Sequence, residues 1–150
     1  MHDIEVDQSG RTDQLTVDTA LAFSDAIQAA IFIPKAVKRE CYQPLKKAGV
    51  RKDLIGVKLF AAGLILLLIP YIRDLELITI DLEYPGWENE IKEHLLRYLR
   101  EIRPDLSNRQ IAFGPIGKGA RAHKVALATY RGERKPDKWV RVEELLEVVI

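Results

Sequence analysis

The sequence predicts an α/β fold: a mixed β-sheet with element order β-β-β-α-β-α-β-α and helices on both faces. Three observations lead to this prediction. Short apolar runs separated by turns fill residues 4–33, which is typical of an antiparallel meander. From residue 54 onwards, helical and strand-like patterns alternate, which favours parallel pairing in the second half. The chain has 150 residues, 47% of them hydrophobic, and no linker-like segment, which predicts a single domain over residues 1–150.

The three opening strands follow one another closely. We expect the first over residues 4–6, ending at Asp7, with a turn around Gly10. Apolar and polar residues alternate over residues 15–23, which predicts a half-buried second strand. The third strand is predicted over residues 26–33, before Pro34.

The second half alternates helices and strands. A basic, partly helical connection is followed by a helix that is apolar on nearly every side, with Asp53 as its expected cap and Pro70 beyond its end. The remaining predicted elements are a strand at 75–84, a helix at 87–102, a strand at 110–113, a helix at 120–130, a short strand at 139–142 and a final helical segment at 143–150.

Cysteine content and hydropathy indicate the cellular compartment in which the protein is expected and whether it has a membrane segment. The only cysteine is Cys41, so no internal disulfide is expected and a reducing compartment such as the cytoplasm is predicted. The longest apolar run, residues 54–69, is shorter than the ~20 residues of a spanning helix, so we expect no membrane segment. His2 and His94 are predicted to be surface residues. The apolar tail, residues 145–150, leaves a homodimer contact open.

Three acidic residues are candidate metal ligands. Asp7 ends the first predicted strand, and Asp81 and Glu83 lie near the end of the fourth, on one side because strand side chains alternate. Two carboxylates in so apolar a strand are costly unless they are paired or bind a cation. If strands one and four are parallel neighbours, these acids can bracket Mg²⁺ or Mn²⁺. The alternative for each is structural: a turn-organising Asp7 and an exposed sheet-edge face.

The pattern of a strand, Asp7-Gln8-Ser9-Gly10, three opening strands and a later strand ending in acids resembles the ribonuclease H-like superfamily. The resemblance covers roughly residues 3–131 and is nearest to the Holliday-junction-resolvase branch and to archaeal members. It implies that Asp7 and Glu83 or Asp81 are metal ligands in a nuclease that uses Mg²⁺ or Mn²⁺. It also implies a ligand on the last core helix, where His123 is the only candidate, and an acid on the first helix, where only Asp53 is available.

Charge is unevenly distributed along the chain. Residues 1–27 carry six acids and one base, whereas residues 34–53 and 116–138 each carry seven bases and two acids. This pattern is typical of a metal site flanked by a phosphate-binding surface, or of ordinary solvated faces. The candidate phosphate contacts are Lys38, Arg39, Lys118, Arg121 and Lys124. The glycine-rich turn before the 120–130 helix has no Ser or Thr after Lys118, so it is not predicted to be a nucleotide-triphosphate loop.

Three functions remain open on this basis. The first is a metal-dependent nuclease acting on DNA or RNA, with Asp7, Asp81, Glu83 and His123 as catalytic residues. The second is a non-catalytic nucleic-acid-binding or scaffold protein on the same fold, favoured because the 120–130 helix has no Asp or Glu. The third, a fragment of a sugar-kinase-like ATPase, ranks last because the chain is too short for two domains.

Overall fold

The computed structural model describes residues 1–150 and contains six strands and five α-helices. In chain order these are β1 (His2–Ser9), β2 (Thr19–Ser24), β3 (Gln28–Ile33), α1 (Lys35–Lys47), α2 (Ile55–Leu68), β4 (Leu75–Asp81), α3 (Glu88–Leu99), β5 (Ile111–Gly114), α4 (Arg121–Tyr130), β6 (Lys138–Trp139) and α5 (Val142–Val149). The α/β class and the three opening strands are as predicted. The first helical connection contains two helices rather than one.

The six strands form one mixed sheet in the order β5-β4-β1-β2-β3-β6. The meander β1-β2-β3 is antiparallel, and β4 lies parallel to β1 on its other side. At the two edges, β5 pairs in parallel with β4 and β6 pairs in parallel with β3. The carboxyl ends of β1 and β4 therefore meet at the same edge of the sheet.

Helices cover both faces of the sheet unequally. On one face α2 packs against β2 and β3, and α1, α3 and α5 surround it. Gly63 permits this contact, because a Cβ atom there would lie 2.7 Å from Leu21 Cδ1. On the other face α4 alone packs over β1, β2 and β3, through a small cluster of Ala22, Ala30 and Ala126. One face thus holds the main core, and the other is only partly covered.

Helix α2 is buried on nearly every side, as its apolar sequence predicted. Twelve of its 14 residues are buried in the core. None of the helices combines the length and the apolar character that crossing a membrane requires. The predicted cap is wrong: Asp53 lies in a 3-10 turn, where its carboxylate pairs with Arg51 at 2.7 Å.

Three of the differences between predicted and observed strand ends concern β1, β2 and β4, around the candidate acids. Asp7 lies inside β1, which continues to Ser9. β2 begins at Thr19 rather than at residue 15, because residues 11–18 form a loop bonded to α1: Arg39 Nε donates to Leu15 O, and Asp18 Oδ1 accepts from Lys35 N. β4 ends at Asp81, and the chain then turns, with Glu83 N donating to Asp81 O at 3.0 Å.

The C-terminal segment packs within the chain. Leu145 and Val148 of α5 are buried in the main core, which leaves Ile150, 70% exposed, as the one fully exposed apolar residue of the tail. His94 is also buried rather than exposed, at 6% relative exposure, and its Nε2 lies 3.1 Å from Val148 O. Whether the chain forms a dimer stays a prediction with no support from this segment.

Candidate metal centre

Three carboxylates converge at the edge where β1 and β4 end. In the parallel register Val6 lies beside Ile80, so the residues that follow each of them, Asp7 and Asp81, lie side by side on the α4 face. Glu83 joins them through the turn that ends β4. One ligand atom from each of the three lies within 4.8 Å of the others, so the cluster can hold a metal ion.

Hydrogen bonds orient two of these carboxylates. Asp7 Oδ1 accepts from the Gln8 backbone N–H at 2.8 Å, and Asp7 Oδ2 lies 2.8 Å from His123 Nδ1 on α4. Asp81 Oδ1 accepts from the Ile116 backbone N–H at 2.9 Å. Asp81 therefore keeps its Oδ2 free of these bonds, whereas both oxygens of Asp7 have a partner and each would offer a cation its second lone pair. Helix α4 and the turn before it position both acids.

Burial and neighbouring acids raise the pKa values of Asp7 and Glu83. Burial is the main cause that raises the pKa of Asp7, which is only 4% exposed, and Asp81 adds to this effect. Burial also raises the pKa of Glu83 to about 8, together with a hydrogen bond from Asp81 and the charges of Asp81 and Asp7. A cluster of like charges with raised pKa values is stabilised by a bound cation, which replaces the missing positive charge.

Arg11 is the one arginine or lysine within ion-pair distance of the acid cluster, and it compensates the acids poorly. Its Nη1 lies 3.7 Å from Glu83 Oε2 and donates to Glu83 O at 3.0 Å. Its Nε and Nη2 are engaged by Asp13, and its guanidinium lies 4.6 Å above the Tyr84 ring. The sequence analysis did not single out Arg11, although it is the only base in the acidic opening segment and follows the turn after Asp7.

A buried polar network fixes the backbone behind the site. The Thr12 N–H donates to Tyr84 Oη at 3.2 Å and to Gln8 Oε1 at 3.3 Å, and the Thr12 hydroxyl donates to Gly56 O at 2.8 Å. Gly10 makes the turn with φ +76, in contact with the Asp18 carbonyl, where a Cβ atom would collide. The loop carrying Arg11 is thus tied to β1, to α2 and to the segment after β4.

Four of the predicted phosphate contacts lie on the surface. Lys118 is exposed in the turn whose Ile116 N–H holds Asp81, and Lys124 is exposed beside His123. Arg121, at the start of α4, pairs with Asp25 at 3.6 Å. Arg39 is exposed on α1 and bonds to the loop carbonyl of Leu15.

The fifth predicted contact, Lys38, is wrong. Its side chain is fully buried, and its Nζ donates to Arg11 O, Gln14 O and Thr19 Oγ1 at 2.7–2.9 Å. Burial lowers the pKa of this ammonium to about 8. Lys38 therefore holds the loop that follows β1 and does not reach a ligand outside the protein.

The chain was compared with protein-family models, with curated proteins and with solved structures, and none of the three comparisons found a match.

Proposed function

We propose that the protein is a metal-dependent nuclease that hydrolyses phosphodiester bonds in DNA or RNA, with Asp7, Asp81 and Glu83 as ligands of Mg²⁺ or Mn²⁺. The observation that carries this proposal is the convergence of three carboxylates within 4.8 Å on parallel neighbouring strands. Oxygen-only ligand sets suit these hard cations. A divalent ion bound there would act as a Lewis acid on a phosphodiester and lower the pKa of an attacking water.

The residues around the acids have separate parts in this proposal. His123 orients Asp7 through the 2.8 Å contact and lies outside the acid triad itself. The Ile116 N–H keeps one oxygen of Asp81 turned away from the cation. The exposed Lys118 and Lys124 lie on the segments that carry these two contacts, where they would attract the phosphates of a substrate.

The ribonuclease H-like resemblance adds support. It implies three opening strands, a helical connection and a fourth strand whose acid lies beside that of the first strand, and the observed elements occur in this order. The buried Cys41, whose thiol pKa is raised to about 11 by burial, is compatible with the proposed cytoplasmic location.

One observation favours a second candidate, a non-catalytic nucleic-acid-binding protein on the same fold. Helix α4 contributes no carboxylate, and the Nδ1 of its His123 is already engaged by Asp7. In that case the basic residues would bind nucleic acid while the acids would hold a structural cation or none.

Calorimetric titration of the chelator-stripped protein with Mn²⁺ tests the site directly. We expect stoichiometric binding that weakens at least about a hundredfold in Asp7→Asn, because a direct ligand is lost. Asp3→Asn is the matched control, since Asp3 is exposed on the same strand and should leave binding unchanged. Equal binding by the parent and Asp7→Asn, or no binding with nucleic acid present, would refute the proposed site.

A cleavage screen then separates the two candidates. Branched, hybrid and single-stranded substrates would be incubated with Mn²⁺, and parallel reactions would contain chelator. A nuclease cleaves at least one of them, and Asp7→Asn loses cleavage while keeping its affinity for nucleic acid. Binding without cleavage in the parent protein supports the second candidate instead.

A further inference from the structure

A cavity lies on the face of the sheet that α4 covers, beyond the C-terminal end of that helix. It has a volume of about 400 Å³ and lies between β3, β6 and the segment after α4. Three aromatic and three cationic residues line it, and no acidic residue does: Phe32, Tyr130, Trp139, Arg131, Arg134 and Lys135. None of these residues was a candidate contact in the sequence analysis.

Trp139 is the most unusual of these residues because 57% of it is exposed. Its ring centroid lies 4.7 Å from that of Phe32, which fixes the indole on one side and leaves much of its surface to solvent. A large aromatic ring that a neighbour holds and solvent still reaches is the form of a stacking platform.

The three cationic residues beside this platform differ in how free they are to contact a ligand. Arg134 is engaged by Asp137 at 3.3 Å, whereas Arg131 and Lys135 are exposed at the rim. An aromatic surface with cations beside it has the chemistry that binds a nucleotide, because the base stacks on the ring while the cations pair with phosphate.

The cavity is connected to the candidate metal centre. The register pairs Asp7 with Ala22 and Ala22 with Ala30, so Phe32, two residues further on, faces the same side as Asp7. Three strand spacings of ~4.8 Å and two residues along a strand put Trp139 roughly 16 Å from Asp7. Tyr130, which lines the cavity, also packs against the turn that follows β1, since a Cβ atom at Gly10 would lie 2.6 Å from its Cε1.

We infer that the Trp139 cavity binds an unpaired nucleotide of a single-stranded segment, a few nucleotides away from the phosphodiester at the acid cluster. The base stacks on Trp139, and Arg131 and Lys135 contact its phosphates. This inference rests on the proposed function for its choice of ligand, and it assigns that function a substrate with a single-stranded part. DNA and RNA share the recognised chemistry.

The test measures binding in chelator, where cleavage plays no part. Fluorescence anisotropy would follow a labelled oligo-dT strand of about ten nucleotides, its RNA equivalent and an abasic strand of equal length. We expect the parent protein to prefer the strands with bases. Trp139→Ala should weaken oligo-dT binding about tenfold and abasic binding little, while Trp139→Phe keeps most of the affinity because it keeps an aromatic face.

The cations are tested by salt dependence. The double variant Arg131→Ala, Lys135→Ala should weaken binding to all strands and reduce the slope of log K against log salt by roughly 1.4, since two phosphate contacts are lost. Lys47→Ala is the control, because Lys47 is exposed on α1, outside the cavity. An equal effect of the control would overturn the assignment of these two cations to the cavity.

Two results overturn the inference as a whole. One is equal affinity of the parent protein for base-containing and abasic strands, which requires no substitution and so does not depend on a variant folding. The other is competition by a free mononucleotide at the same concentration as the strand, which would assign the cavity to a free nucleotide. Mn²⁺ binding by the acids is measured without nucleic acid, so each proposal can fail while the other stands.

Discussion

The buried Lys38 and the partly buried acid cluster differ in how the chain compensates their charges. Lys38 lies in the interior with its ammonium surrounded by three oxygen acceptors that belong to one loop and the start of β2. The acid cluster brings together three carboxyl groups, and the one arginine or lysine within ion-pair distance is Arg11, 3.7 Å from Glu83, which also pairs with Asp13.

The difference between Lys38 and the acid cluster indicates that Lys38 has a structural role, whereas the acids are arranged to bind a ligand. A buried charge that stabilises a fold is surrounded by groups of opposite polarity, because an uncompensated one costs several kcal/mol. The acid cluster, in which the pKa values of Asp7 and Glu83 are raised, lacks that compensation within the chain. The comparison therefore predicts that removing the Lys38 charge destabilises the protein, whereas removing a carboxylate charge from the cluster stabilises it in the absence of metal.

Among these substitutions, Lys38→Met is expected to change the stability of the protein most. Methionine fills similar space but leaves the carbonyls of Arg11 and Gln14 without a donor, which should lower the free energy of unfolding by about 2–4 kcal/mol. Urea denaturation at pH 7 measures it. Lys47→Met, an exposed position on the same helix, is the control and should change stability by less than about 0.5 kcal/mol. A loss no greater than the control's would remove the structural role assigned to Lys38.

Glu83→Gln should raise the free energy of unfolding, in contrast to Lys38→Met, and the size of this gain should depend on pH. The pKa of Glu83 is raised from 4.5 to about 8, so between these values the folded state holds a proton that the unfolded state releases. The parent protein's stability should therefore fall as pH rises through this window, and then level off above it.

The glutamine variant does not titrate, and its amide can donate as the protonated acid does. Its advantage over the parent should be small near pH 5 and reach about 1–2 kcal/mol near pH 8, measured by urea denaturation in chelator. A difference that does not grow with pH would show that Glu83 is not protonated in the folded state at neutral pH.

Arg11→Gln is expected to have the smallest effect of the three substitutions, and the quantity it changes is the affinity for Mn²⁺. The Arg11 side chain is 39% exposed, so solvent screens its 3.7 Å ion pair with Glu83. Removing this cation should tighten Mn²⁺ binding about two- to fivefold at low salt, because one competing positive charge is lost. Arg51→Gln, which breaks an exposed pair with Asp53, is the control. Weaker Mn²⁺ binding would mean instead that Arg11 holds Glu83 in place.

Local pattern was sufficient for the α/β class and the three opening strands, but it gave one helix between β3 and β4 where the chain has two. The unbroken apolar run before Pro70 predicted a helix enclosed by others, and α2 is buried in this way. The apolar run before Asp81 predicted β4, and its adjacency to β1 was the condition on which the pairing of Asp7 with Asp81 rested. These features are predictable because periodicity and chain connectivity are properties of neighbouring residues.

Local pattern failed where the outcome depends on distant residues. Lys38 and Arg39 are adjacent bases in one basic segment, yet one is buried and the other exposed. Lys38 is enclosed by three acceptors 19 to 27 residues away in sequence, whereas Arg39 bonds to one carbonyl of the same loop from the surface. Strand alternation likewise placed Glu83 beside Asp81, whereas it reaches the cluster through a turn after β4 has ended.

The amino-acid pattern alone thus determined an α/β chain with acids at the ends of two apolar strands, because burial and periodicity constrain residue types along each element. Tertiary packing decided which charges are enclosed, which meet one another and which face a ligand. It made Lys38 a structural anchor, brought His123 to Asp7 across 116 residues of sequence, and left Trp139 exposed beside three cations. Electrostatic free energies depend on distance and burial in three dimensions, and these are known only once the sheet and helices have assembled.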